Sequence, residues 1–226
     1  MPETIRVMVE QGRKRAVASA FDWPGWGRSA KGTAVEGEAL AVLAAYRARF
    51  APVAGLAGLG DEFAATGELE VVERLGGTGM GDFYGVSGQT AKDEYDQMSE
   101  AACERKIALL RASWAYFDGV AAHVSAELRL GPRGGGRDRN RIVRHVNGAE
   151  IDEHAKKVGV RTSLDALGDP EAIRAHRDAY AEGIREFNAR GPSAGVWTIQ
   201  FLIRRSAWHM LDHAWELEDR DLSLQS

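Results

Sequence analysis

A chain of 226 residues with 44 % hydrophobic content is long enough for one large domain or two small ones with a real core. Its 29 basic and 33 acidic residues leave a formal charge of −4 and a pI of ≈ 5.9, which excludes a protein that grips nucleic acid by bulk positive charge. Cys103 is the only cysteine, so no internal disulfide forms and the composition suits a reducing compartment. The opening MPETIRVMVEQGRKR lacks the long apolar segment of a secretion signal, and no later run is long enough to cross a bilayer. These features predict a soluble, cytoplasmic protein with no membrane or nucleic-acid partner.

In chain order, IRVMVE and RAVASAF flank the polar turn QGRK and predict a β-hairpin. DWPGWGRSAKG reads as a turn-forming connection. EALAVLAAYRARF follows, with Ala39, Leu43, Tyr46 and Phe50 at helical spacing and a basic end, and predicts one amphipathic helix. ELEVVERL carries a weaker strand signal. GGTGMGDFYGVSG is rich in glycine and predicts irregular structure closing a small α/β unit, with the boundary near Gln89. GGTGMG lacks the spacing of a dinucleotide-binding turn.

Beyond that boundary the pattern turns to long helices. Cys103, Ile107, Leu110, Trp114, Phe117, Ala121, Val124 and Leu128 form one apolar stripe, in which Cys103 is a packed residue rather than a nucleophile. GPRGGGRDR cannot continue that helix. A second helix is expected over about 140–158 with Gly159 as its stop, and a third over 169–190 with Asp169 as cap and Pro170 at the first helical position. The fourth spans about 197–220. Short connections between four such helices imply a bundle.

The last helix carries the chemistry. In WHMLDHAWE, His209 and His213 stand i, i+4 and project from one side, close enough to share one ion. Phe201, Trp208, Leu211, Trp215 and Leu222 fall on roughly the opposite face, leaving the histidines free to look into a cavity. IVRHVNGAEIDEHAKKVGV, followed roughly sixty residues later by FLIRRSAWHMLDHAWELEDR, resembles the DinB/YfiT-like superfamily of four-helix metalloproteins. The resemblance covers about 91–220 and implies a three-histidine divalent-metal site at His145, His209 and His213. His123 is expected to be exposed, and His154 and His176 match no ligand position. Three neutral imidazoles leave open coordination positions, as at catalytic sites; zinc is the default ion, and nickel or iron accept the same ligands. Asp152, two turns from His145, and Glu216, two turns from His209, are candidates to orient a ligand or move a proton. Arg204 and Arg205 on the same helix are candidates to bind an anionic ligand.

AFDWPGWGRSAKGTAVEGEALAVL resembles a HicB-type antitoxin module through Asp22, Pro24, Gly25, Gly32, Thr33 and Glu36, with the Glu-Ala pair shifted to Glu38-Ala39 and no DNA-binding segment after it. The implied architecture is α+β: a small ββαβ unit in residues 1–89 and a DinB-like bundle in 90–226. The first unit would cover one face of the bundle or shape the entrance to the metal pocket, with Trp23 and Trp26 contacting substrate or the other unit. The superfamily resemblance implies a metal-dependent S-transferase or isomerase that joins a low-molecular-weight thiol to a small electrophilic substrate. A hydrolase or lyase without a thiol, and a non-catalytic regulatory protein with a structural metal, are the alternatives. A homodimer is compatible with all three.

Overall fold

A computed structural model describes residues 3–32, 36–130 and 136–223. The architecture is α+β, with a four-stranded mixed sheet at the N-terminus followed by helices. The hairpin forms as expected, from β1 (Ile5–Gln11) and β2 (Arg15–Ala20). The connection read as a turn also contains a strand, β3 (Gly27–Lys31), paired antiparallel with β2. GRSAK is too polar to signal a strand, and its place on the sheet edge explains why it needs no apolar alternation.

The expected single helix is two: α1 (Glu36–Ala45) and α2 (Arg47–Leu56), broken at Tyr46. The break lets Ala39 and Leu43 from the first and Phe50 and Val53 from the second reach one core. After α3 (Gly60–Ala65), strand β4 (Leu69–Gly76) pairs parallel with β1, giving the sheet order β3-β2-β1-β4. β1 is therefore central. Ile5, Val7 and Val9 face the helices, whereas Met8 packs with Phe21 and Ala91 on the other side, which is why IRVMVE does not alternate cleanly. The glycine-rich stretch holds a short helix, α4 (Gly79–Tyr84), whose first turn is capped by the Thr78 hydroxyl.

Among the described residues, four longer helical segments follow, with short 3-10 helices at Lys92–Tyr95, ahead of them, and Leu164–Gly168, between the second and the third. α5 (Glu100–His123) carries the predicted stripe and stops at Val124, while Val124 and Leu128 stay buried beyond its end. The helix-ending stretch GPRGGGR falls mostly outside the described residues. α6 (Arg139–Ala149) continues into a π-helical turn, Glu150–His154, and a 3-10 turn, Ala155–Val158. Gly159 ends this segment at φ 77°, a left-handed conformation that glycine adopts at little cost. α7 (Pro170–Arg190) begins on the Asp169 cap with Pro170 first, as predicted. A two-residue ladder, β5 (Ser193–Ala194) with β6 (Trp197–Thr198), precedes α8 (Ile199–Arg220).

Leu110 and Phe117 of α5, Val146 of α6, Ile184 of α7 and Leu202 and Met210 of α8 share one core. A second core joins the sheet and α1–α3 to Leu109 and Ala112 of α5 and to Leu211 and Trp215 of α8. Trp23 and Trp26 are buried there against Phe50 and Phe63, within the N-terminal half of the chain, and Arg105 of α5 lies over the Trp23 ring. Arg28 reinforces the junction through Asp212 at 2.6 Å and lies over the Tyr46 and Trp215 rings. Among the described residues no single helix is long and apolar enough to cross a membrane. The bent pair α1–α2 qualifies by length and composition together, yet its Ala39, Leu43, Phe50, Val53 and Ala54 belong to the second core.

Candidate metal centre

The i, i+4 spacing on α8 and one residue of α6 bring three imidazoles together. The His145 ring centroid lies 5.2 Å from that of His209 and 5.1 Å from that of His213, and the last two are 4.9 Å apart. All three pairs stand nearly perpendicular, and each residue offers one nitrogen within 4.8 Å of the others. The residues fit a metal by their chemistry as well as their spacing. Burial makes protonation of His145 unfavourable, aided by Arg137 and His213. His209 is held well below the usual imidazole range by burial and then by His213, His154, His145 and Arg205. Neutral rings keep the lone pairs that a divalent ion requires. His209 Nδ1 is moreover buried without a hydrogen-bond partner, as expected where protein groups alone do not complete a site.

Glu216 accounts for the third ring. One of its oxygens meets His213 Nδ1 at 2.8 Å, and the other accepts from Arg220 Nη1 at 2.6 Å. This leaves Nε2 of His213 as the ligand atom and fixes the ring's orientation, the usual role of a carboxylate behind a metal-binding histidine. The His213 contact, followed by Arg220, keeps the Glu216 carboxyl below its ordinary range. Glu216 thus orients His213, whereas Asp152 occupies a different place. Its exposed carboxylate bonds Lys156 at 2.7 Å on the rim of an open groove that His145 also lines. That groove, about 690 Å³ in volume, is roomy enough for a small molecule.

The two arginines part ways. Arg204 is buried, pairs with Glu94 at 2.7 Å, and donates to Ser87 and to the Gln89 carbonyl, so protein groups occupy its donors. Among the described residues Arg205 forms no ion pair, and it lies over the Trp208 ring. Phe201, Trp208, Leu211 and Trp215 are buried as the helical pattern predicts, while Leu222 lies past the end of α8 and is 40 % exposed. His123 is exposed as expected. Cys103 is buried, and burial pushes its thiol up to about 11, consistent with a packed residue.

His154 is the residue that spacing missed. It is buried, its ring centroid is 5.7 Å from that of His209, and burial lowers it to about 3. Nine α-helical residues separate it from His145 and would place it about 180° away. The π turn accommodates an extra residue and reduces that angle by roughly 100°, bringing His154 toward α8. Neither the turn nor its effect is signalled by amphipathic period, although the buried Glu150 at its start is a clue in retrospect. Glu150 accepts from Trp114 Nε1 and from Arg177, anchoring the turn to α5 and α7.

The chain matches no known protein-family model, no curated protein and no solved structure, so its function rests on this geometry and chemistry.

Proposed function

We propose that His145, His209 and His213 hold one divalent ion, with zinc the expected metal, and that the protein is a metal-dependent enzyme joining a low-molecular-weight thiol to a small electrophile or isomerising it. The observation that carries this reading is the convergence of three imidazoles beside an open groove, with Glu216 fixing the third ring. The resemblance of the two histidine-bearing stretches to the DinB/YfiT-like superfamily supports the thiol chemistry. When bound, the ion supplies positive charge and open ligand positions that favour the thiolate at neutral pH.

The chain's own residues do the remaining work. His213 is held in one tautomer by Glu216, so its Nε2 lone pair needs no reorientation on binding. Arg144, Lys156 and Lys157 stand against Asp152 and Glu153 on the groove, a slight excess of positive charge that suits a substrate carrying a carboxylate or another anionic group. Asp152 Oδ1 is tied to Lys156, and its second oxygen is the rim atom available to take the thiol proton.

The purified protein should contain about one divalent ion per chain, and His209→Ala should remove it because two imidazoles hold an ion far less tightly than three. Full occupancy in each of the three single His→Ala variants would sink the ligand set. Metal-loaded protein is then incubated with a panel of thiols and electrophiles, following thiol consumption and product masses. Turnover that requires both thiol and metal supports the proposal. Turnover without thiol favours a hydrolase or lyase, and stabilisation by metal without turnover favours a regulatory protein with a structural ion.

A further inference from the structure

A small recessed cavity separates the sheet from α8 at a place the metal reading does not use. Ser19 at the end of β2, Gly27 at the start of β3, Ser87, and Arg205 and Trp208 of α8 are among the residues that line it. About 10 Å³ is left for the centre of a water-sized occupant, roughly what one such occupant needs. Gly27 keeps the wall open. A side chain there would bring its Cβ to 3.1 Å from both Ser19 Oγ and Trp208 Cδ1, the carbon next to the indole nitrogen.

The polar groups on these walls are short of acceptors. Arg205 Nη1 and Trp208 Nε1 are both buried and neither has a hydrogen-bond partner, although Trp208 is only 9 % exposed. The two side chains are neighbours, with the guanidinium carbon 5.2 Å from the indole centroid. Two buried N–H groups without acceptors are costly, and more so where the group is charged. The charges are also unequal. Arg204 has Glu94, whereas Glu153, Asp212 and Glu10 are close enough to Arg205 to be felt but none of them bonds it. Burial lowers Arg205's hold on its proton, yet a guanidinium remains charged at neutral pH.

We propose that this cavity binds a single monatomic anion of the size of chloride, held by Arg205 Nη1–H, Trp208 Nε1–H and the Ser19 hydroxyl. A water molecule would satisfy the two N–H groups but would bring no negative charge to Arg205, which has no carboxylate bonded to it among the described residues. A carboxylate or phosphate is too large for the space. The site is independent of the metal proposal, because none of the three ligand histidines lines it.

The test uses the metal-free full-length protein. Its thermal midpoint is measured in sodium chloride or bromide and in sodium gluconate at equal ionic strength, and crystals are soaked in bromide to locate it by anomalous scattering. The expected result is a midpoint higher in halide by about 2–4 °C and a bromide peak between Arg205 and Trp208. Trp208→Phe keeps the ring, removes the donor, and should lose most of the halide-specific shift; Arg205→Gln should lose it as well. Should Arg205→Gln fail to fold, Trp208→Phe alone decides. Absence of the peak overturns the proposal, as does an equal halide shift in Trp208→Phe. A peak without any halide dependence of the midpoint means an adventitious ion only, and overturns it too.

Discussion

Glu216→Ala should weaken divalent-ion binding by about 10- to 100-fold, the range for loss of a carboxylate behind a ligand histidine, while Asp152→Ala should leave affinity unchanged. Titration of a competing chelator measures both. The contrast follows from their partners: Glu216 bonds His213 and Arg220, whereas Asp152 bonds Lys156 at the groove rim. Equal losses in the two variants would show that His213 is not oriented as described. At this scale the sequence was legible where α8 stays regular, because i, i+4 spacing alone puts His209 and His213 on one side. His154 escaped it because the residues between it and His145 do not keep one helical period.

Among the elements, the close approach of α7 to the turn after the π segment depends on Gly183. A Cβ there would lie 2.9 Å from the Val158 carbonyl oxygen and 3.0 Å from Val158 Cγ2. Gly183→Ala gains about 0.8–1 kcal/mol of helix propensity and loses about 1–3 kcal/mol to overpacking. Backbone cannot yield as a flexible side chain does, so net destabilisation of about 1 kcal/mol is expected from urea unfolding. A stabilised variant would show that the segment moves freely. Helix boundaries set by local chemistry were readable: the Asp169-Pro170 start and the Gly159 stop need only a cap, a fixed φ and a left-handed residue. β3 and the break at Tyr46 were not, since polar edge residues and a shared core decide them through contacts distant in sequence.

For the molecule as a whole, buried histidines set the response to acid. Burial lowers His154 to about 3 and His176 to about 4, with Arg205 and Arg177 respectively adding to the effect. Both are neutral when folded and take up protons on unfolding once the pH drops below the ordinary imidazole value of about 6.5. Their contribution is therefore complete above that pH and is lost as pH falls toward the folded values. Glu150 acts in the opposite sense. Burial pushes its carboxyl up to about 7 despite Arg177, so it costs the folded state more as pH rises from about 4.5 to 7. Each group contributes a slope of up to about 1.4 kcal/mol per pH unit. His176 Nε2 lies 3.8 Å from Glu150 Oε1, so these two titrate as a coupled pair and largely offset each other, leaving His154 to set a net loss of stability as pH falls below about 6.5. His145 and His209 add to the loss, and the raised carboxyl of Glu10 subtracts from it. Urea midpoints of metal-free protein across this range check the sign, and His154→Phe should flatten the curve. A midpoint that rises as pH falls would contradict the burial of these rings.

α8 supplies side chains to both cores, with Met210 and Leu217 on one side and Leu211 and Trp215 on the other. No layer can detach without stripping this helix, so the slowest-exchanging amide protons of β1 should be released only when the whole molecule opens. An ion gripped by His209 and His213 would then lengthen the lifetime of those protons, in a strand that never touches it.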